Sequence, residues 1–192
     1  MVNVSEFAKG QVVSLKRLAM VAIWGLLVLA GIFVTVRFTG LMDHMLPAGD
    51  PPNMTFGRDA DLPNVPNFFL ACPADRLPDS DRAMQSPSFA ASVATLTEVL
   101  IETAPDHGMT LMTDVSGGKA GRLYFLARSA VFRFPDWVEI ELILPEVDTE
   151  TGNDVAFCLF AQSVYGHDDF GQNEKRTRAW LADVEARMGQ NQ

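Results

Sequence analysis

The chain has 192 residues, 48% of them hydrophobic and 20% charged, with a formal net charge of −9. That length holds one domain and an anchor rather than two full domains. The acidity is concentrated beyond Arg37, where 11 Lys and Arg stand against 23 Asp and Glu, a balance of −12. Such a surface repels nucleic acid and anionic lipid headgroups, and it excludes a nucleic-acid partner.

The first element is apolar. Leu18 to Val36 carries no charge, and Arg17 and Arg37 close it on either side. As a helix it is roughly 28 Å long, close to the hydrocarbon thickness of a bilayer. It lacks the polar face of a soluble surface helix. A cleaved signal peptide has a shorter core and a small-x-small site, which Arg37-Phe38-Thr39-Gly40-Leu41-Met42 does not offer. Residues 18–38 therefore read as an uncleaved transmembrane helix, the chain's membrane contact. Lys9, Lys16 and Arg17 precede it and only Arg37 follows closely. The positive-inside rule then keeps residues 1–17 in the cytoplasm and puts the C-terminal domain outside. In a bacterium this is a single-pass protein of the inner membrane with a periplasmic domain.

Residues 39–85 hold Pro47, Pro51, Pro52, Pro63, Pro66, Pro73 and Pro78 among seven aspartates. Proline removes backbone donors, so this stretch reads as a linker. Phe68, Phe69 and Leu70 are too apolar for a free tether and place part of it on the domain.

The globular domain is expected over residues 86–189. Ser86 to Ala91 reads as a short strand. Ser92 can cap a helix to about Thr103, with Val93, Leu96, Val99 and Leu100 on one face. Strands follow at 109–115 and 122–130, separated by a Gly117-Gly118 turn. Residues 137–144 alternate, with Val138, Ile140, Leu142 and Leu144 inward and Glu139 and Glu141 on a wet face. An acidic loop, 145–153, leads to a strand at 155–164. That strand is apolar on both faces and so should be central. A last helix spans about 173–188, with Trp180, Leu181, Val184 and Met188 as its stripe. The expected fold is α+β: four to five mostly antiparallel strands, with one helix before and one after.

Cys72 and Cys158 are the two cysteines. An oxidising compartment permits a disulfide between them, and a buried pair of thiols is the other reading. The spacing excludes a zinc ribbon, and no metal or cofactor motif is present.

Two segments carry chemistry-bearing residues. One is Arg128-Ser129-Ala130-Val131-Phe132-Arg133-Phe134-Pro135-Asp136. The other runs from Ser163 through Gly166-His167-Asp168-Asp169-Phe170-Gly171-Gln172-Asn173 to Arg176. Together they resemble the bacterial family called domain of unknown function 1499. Phe134, Pro135 and Asp136 match its first element, and Ser163, Gly166, Asp169, Gly171, Asn173 and Arg176 its second. An arginine usual after the serine is Val164 here. The resemblance covers roughly 67–188 and implies a fold more than an activity; members with an N-terminal membrane segment share this layout.

Gly166 to Asp169 has a functional and a structural reading. In the first, His167, Asp168 and Asp169 form a base or ligand cluster of a small hydrolase or metal-dependent enzyme. In the second, Gly166 and Gly171 supply turns, Asn173 caps the last helix, and Asp169 accepts from its first N–H groups with Arg176 paired to it. The structural reading accounts for more of the residues. Arg128 and Arg133 flank Phe132, with Asp136, Glu139 and Glu141 as possible partners. Three functions follow: a non-enzymatic module binding a partner protein or apolar ligand, the small enzyme just described, or an envelope-assembly subunit.

Overall fold

A computed structural model describes residues 4–112, 121–143 and 154–190. The chain forms two compact units, Met1–Met45 and Leu46–Gln192. In the first, helix α1 runs from Val4 to Phe38 and a short helix α2 from Leu41 to Met45. Within α1, Leu15–Phe38 is long and apolar enough to cross a membrane.

The second unit is α+β. Its strands are β1 (Phe68–Cys72), β2 (Ala83–Gln85), β3 (Ser88–Ala90), β4 (Met109–Leu111), β5 (Arg122–Arg128), β6 (Pro135–Ile143) and β7 (Asp154–Ser163). They make one seven-stranded sheet in the order β2-β1-β7-β6-β5-β4, with β3 also paired to β7. The expectation of four to five mostly antiparallel strands is therefore corrected. β1 and β2 run parallel, so the sheet is mixed. Both come from the stretch read as linker. Prolines 66 and 73 bound the run Phe68–Cys72 without entering it, and all five of its residues are buried. Such a run satisfies its backbone as an inner strand, here antiparallel to β7 with Phe69 opposite Ala161.

Helix α3 (Val93–Thr103) starts where Ser92 Oγ accepts from Thr95 N at 3.0 Å. Helix α4 spans Gln172–Gln190. Leu96, Val99 and Leu100 of α3 and Trp180, Leu181, Val184 and Met188 of α4 share one core with Phe125, Ile140, Phe157 and Leu159 of the sheet. Trp180 meets Phe125 edge-on with centroids 5.3 Å apart, and its Nε1 donates to Thr103 Oγ1 at 2.8 Å. His107 lies 2.7 Å from Asp183 of α4.

The other face of the sheet is covered as well. Met54, Phe68, Leu70, Cys72, Cys158 and Phe160 form a second apolar cluster, with Phe56, Leu62 and Leu77 against it. Alternate residues of β7 thus serve two cores, which is why that strand lacks a polar face. Cys72 and Cys158 are joined in a disulfide between the neighbouring strands β1 and β7.

Glu139 is consequently not on a wet face. It is wholly buried, and a buried carboxylate has to be paired and hydrogen-bonded. Its Oε2 accepts from Met54 N at 2.9 Å. Its Oε1 accepts from Tyr124 Oη at 3.3 Å and from Arg122. Arg122 also binds Glu141, which Arg76 reaches at 3.2 Å. Burial raises the Glu139 carboxyl above its ordinary value, against the pull of Met54 N–H and Arg122. The Gly117-Gly118 turn, residues 113–115, Leu144 and the acidic loop 145–153 lie outside the described residues.

Candidate functional site

The two motif segments are brought to one edge of the sheet by strand pairing. In the β5–β6 hairpin Arg128 stands opposite Pro135, and across β6–β7 Asp136 stands opposite Ser163. Residues 129–134 close the hairpin. Ser129 N donates to Phe134 O and Phe134 N to Ser129 Oγ, both at 2.9 Å, with Arg133 at φ 60°.

Asp136 is the polar centre. Its Oδ1 accepts from Ser163 Oγ at 2.6 Å and its Oδ2 from Arg176 Nη2 at 2.7 Å. Arg176 Nη1 also donates to Asn173 Oδ1 at 3.0 Å. Asn173 Nδ2 reaches Ser163 Oγ and Asn67 O, each at 3.2 Å. Asn67 Nδ2 in turn holds the carbonyls of Ser163 (3.1 Å) and Gly166 (2.9 Å). Asp136, Ser163, Asn173 and Asn67 are all buried, so this network fixes the turn between β7 and α4 from below.

Asp169 makes the helix start. Its Oδ1 accepts from Gly171 N at 3.0 Å and its Oδ2 from Asn173 N at 2.9 Å, two of the donors a helix N-terminus leaves unpaired. Gly171, at φ 72°, takes the left-handed conformation that glycine adopts without strain. Two expectations are corrected here. Asn173 does not cap the helix; it lies inside α4 and its amide points back to β7 and Asn67. Arg176 bonds Asp136 and Asn173, the carboxylate of Asp169 being taken up by the backbone N–H groups before it.

Above this floor lies a half-open groove of about 640 Å³. Arg128, Phe134, Asp136, Ser163, Gly166, Asp169 and Arg176 line it. Pro135 begins β6 beside it, while Gly171 and Asn173 position the helix. Asp168 lines it too, with Oδ1 accepting from Phe170 N at 2.7 Å. His167 is exposed and is not among the lining residues. The cluster His167, Asp168 and Asp169 is thus divided between surface, rim and helix cap. Among the described residues no group of three or more His, Cys, Asp or Glu is placed to hold a metal.

The rim is aromatic and open to solvent. Val131, Phe132, Phe134, Tyr165 and Phe170 all line the groove with their side chains exposed, Phe170 to 89%. Phe134 stacks at a tilt between Phe132 (5.9 Å) and Tyr165 (6.4 Å). The sequence did not assign this rim. Its signal was present as aromatics in both motif loops, but only the strand pairing shows that loops so far apart in sequence face one space. Arg128 Nη1 donates to the carbonyls of Arg133 (2.9 Å) and Leu46 (3.0 Å). Its proposed carboxylate partners are held elsewhere, Asp136 by Arg176, and Glu139 and Glu141 by Arg122.

A family model described as a protein of unknown function (DUF1499) matches residues 60–184, which includes every groove residue named above. No curated protein matches the chain.

Proposed function

We propose, for a chain that belongs to the DUF1499 family, that it is a membrane-anchored module whose role is binding rather than chemistry, and that the groove above Asp136 and Arg176 is its binding site. The supporting observation is the rim: large apolar side chains exposed together around one concavity are characteristic of an interaction site. The ligand is apolar in its main part, or is the apolar side chain of a partner protein. The polar groups of the floor support the same reading. Asp136, Ser163 and Arg176 bond one another, and both oxygens of Asp169 accept from backbone N–H groups. Anchoring is by residues 18–38, with the N-terminus in the cytoplasm and the binding unit in the periplasm.

Two experiments test this. A photo-crosslinking residue placed in cells at Phe132 or Phe170 should form adducts that one at exposed Glu98, on α3, does not; equal yields at all three positions overturn the groove as the site. A reporter active only in the periplasm, fused after Gln192, should be active. Activity from a cytoplasmic reporter alone reverses the orientation.

A further inference from the structure

The groove's ligand can be narrowed, on the premise that it is a binding site. We propose that it takes an acyl chain of a zwitterionic phospholipid from the leaflet in which the chain's own helix ends. The first ground is covalent. Three successive carbonyls of the segment that enters the second unit are fastened to the sheet and its loops, the first two by residues of the groove. Leu46 O accepts from Arg128 Nη1 (3.0 Å), Pro47 O from Tyr165 Oη (2.9 Å) and Ala48 O from Trp137 Nε1 (2.9 Å). Arg128 and Tyr165 line the groove themselves. The membrane-length stretch of α1 ends at Phe38. Whatever the arrangement of the two units, the chain from Phe38 to Leu46 extends no further than roughly 28 Å at full stretch. A bilayer that holds the helix is therefore within a short reach of the groove's rim.

The second ground is the chemistry of the rim. Phe170 is 89% exposed and sits at φ 53°, a conformation unfavourable for a large side chain by about 1–2 kcal/mol. The turn thus holds an aromatic ring out of the protein at a conformational disadvantage. Val131, Phe132 and Phe134 extend the same apolar surface, and Tyr165 adds a ring whose hydroxyl is held by Pro47. Aromatic side chains concentrate at the membrane–water boundary because their rings prefer hydrocarbon and their polar tips water. A groove of about 640 Å³ is of the size that holds a small apolar ligand.

The third ground is charge. Beyond Arg37 the chain carries 11 basic against 23 acidic residues. This field opposes an anionic headgroup. Arg176 does not offset it, because Asp136 is 2.7 Å away. A headgroup without net charge avoids that repulsion.

The test uses the full-length chain in nanodiscs of a phosphatidylcholine carrying a diazirine in its acyl chain. After irradiation, peptides are mapped by mass spectrometry. Labelling is expected in the helix, as an internal control, and also on the groove peptides holding residues 129–134 and 163–176. The double variant Phe132→Ser, Phe170→Ser removes two exposed rings. Once its melting temperature matches wild type, it should lose groove labelling by about tenfold, as the loss of one buried ring's worth of apolar contact implies. Helix labelling should be unchanged. Discs made with the anionic phosphatidylglycerol analogue should label the groove less. A labelled helix with an unlabelled groove overturns the proposal, as does labelling confined to Phe170, which reports surface contact alone. Equal or stronger labelling from the anionic lipid overturns the headgroup assignment. If lipid fails while a crosslinker at Phe170 captures a protein in cells, groove binding stands and only the lipid falls. If neither labels the groove, both fall.

Discussion

Arg176 and Asp136, forty positions apart in the sequence, meet at 2.7 Å on the floor of the groove. The pair ties the start of α4 to the start of β6, and so locks the two motif loops to each other. Both side chains are largely buried. Removing one leaves the other charge stranded, so Arg176→Met should lower stability by about 3 kcal/mol. Asp136→Asn with Arg176→Met together should recover part of that loss. A double-mutant cycle by chemical denaturation of the full chain in detergent checks it; a coupling below about 0.5 kcal/mol would mean that the contact carries no stability.

Asp169 should behave as a structural residue. Asp169→Ala leaves Gly171 N and Asn173 N without their acceptor and should lower stability by about 1–3 kcal/mol. His167→Ala, at an exposed position, should change little. Thermal melts beside complementation of a deletion strain separate this from a catalytic role. An Asp169→Ala protein of unchanged stability that fails to complement would move the weight to His167, Asp168 and Asp169 as a reactive cluster.

The disulfide closes a loop with a sequence separation of 86. In the chain-entropy model its loss costs roughly 4–5 kcal/mol. Reductant should therefore shift the denaturation midpoint strongly for wild type and not at all for Cys72→Ala, Cys158→Ala. Two thiols reactive in the unfolded, unreduced chain would show that the bond is not formed.

Glu139 gives a pH signature. Its folded carboxyl is raised above the ordinary 4.5 by burial. The folded state thus holds this proton more tightly than the unfolded state does. The group's contribution is full below its unfolded value and is lost as pH rises through its folded value. The stability of wild type minus that of Glu139→Gln should therefore fall across that window on raising pH, then level. Denaturation curves over a pH series measure it; a difference that climbs with pH would show that Arg122 outweighs burial.

Much of this was legible beforehand. The helices announced themselves through Ser92 and through the stripe of Trp180, Leu181, Val184 and Met188. The alternation of β6 marked its inward face, and the double apolar pattern of β7 marked a central strand. One group of departures comes from burial: the run Phe68-Phe69-Leu70 marks contact with the domain, but the proline-rich propensity around it hides that Phe68–Cys72 is an inner strand and that Met54 covers the sheet. With that cover unrecognised, Glu139 looked wet. The site was legible as two motifs but not as one space, because a one-dimensional pattern carries no pairing register. Arg176 was matched to the nearest carboxylate in sequence, while the helix start had already engaged Asp169 and the sheet brought Asp136 closer.

The strand Phe68–Cys72 lies between β2 and β7, and β7 is the last of the described strands to leave the ribosome. The 81 residues from Pro73 to Asn153 must therefore be synthesised while a run of five apolar residues waits without its antiparallel neighbour. Contacts of such long sequence separation form slowly. During that interval the edge of Phe68–Cys72 that β7 will take is open to strands of other chains. The unit's most buried strand in the native state is thus an aggregation hazard during biogenesis, and a chain stopped before Asp154 lacks the strand that pairs its second edge.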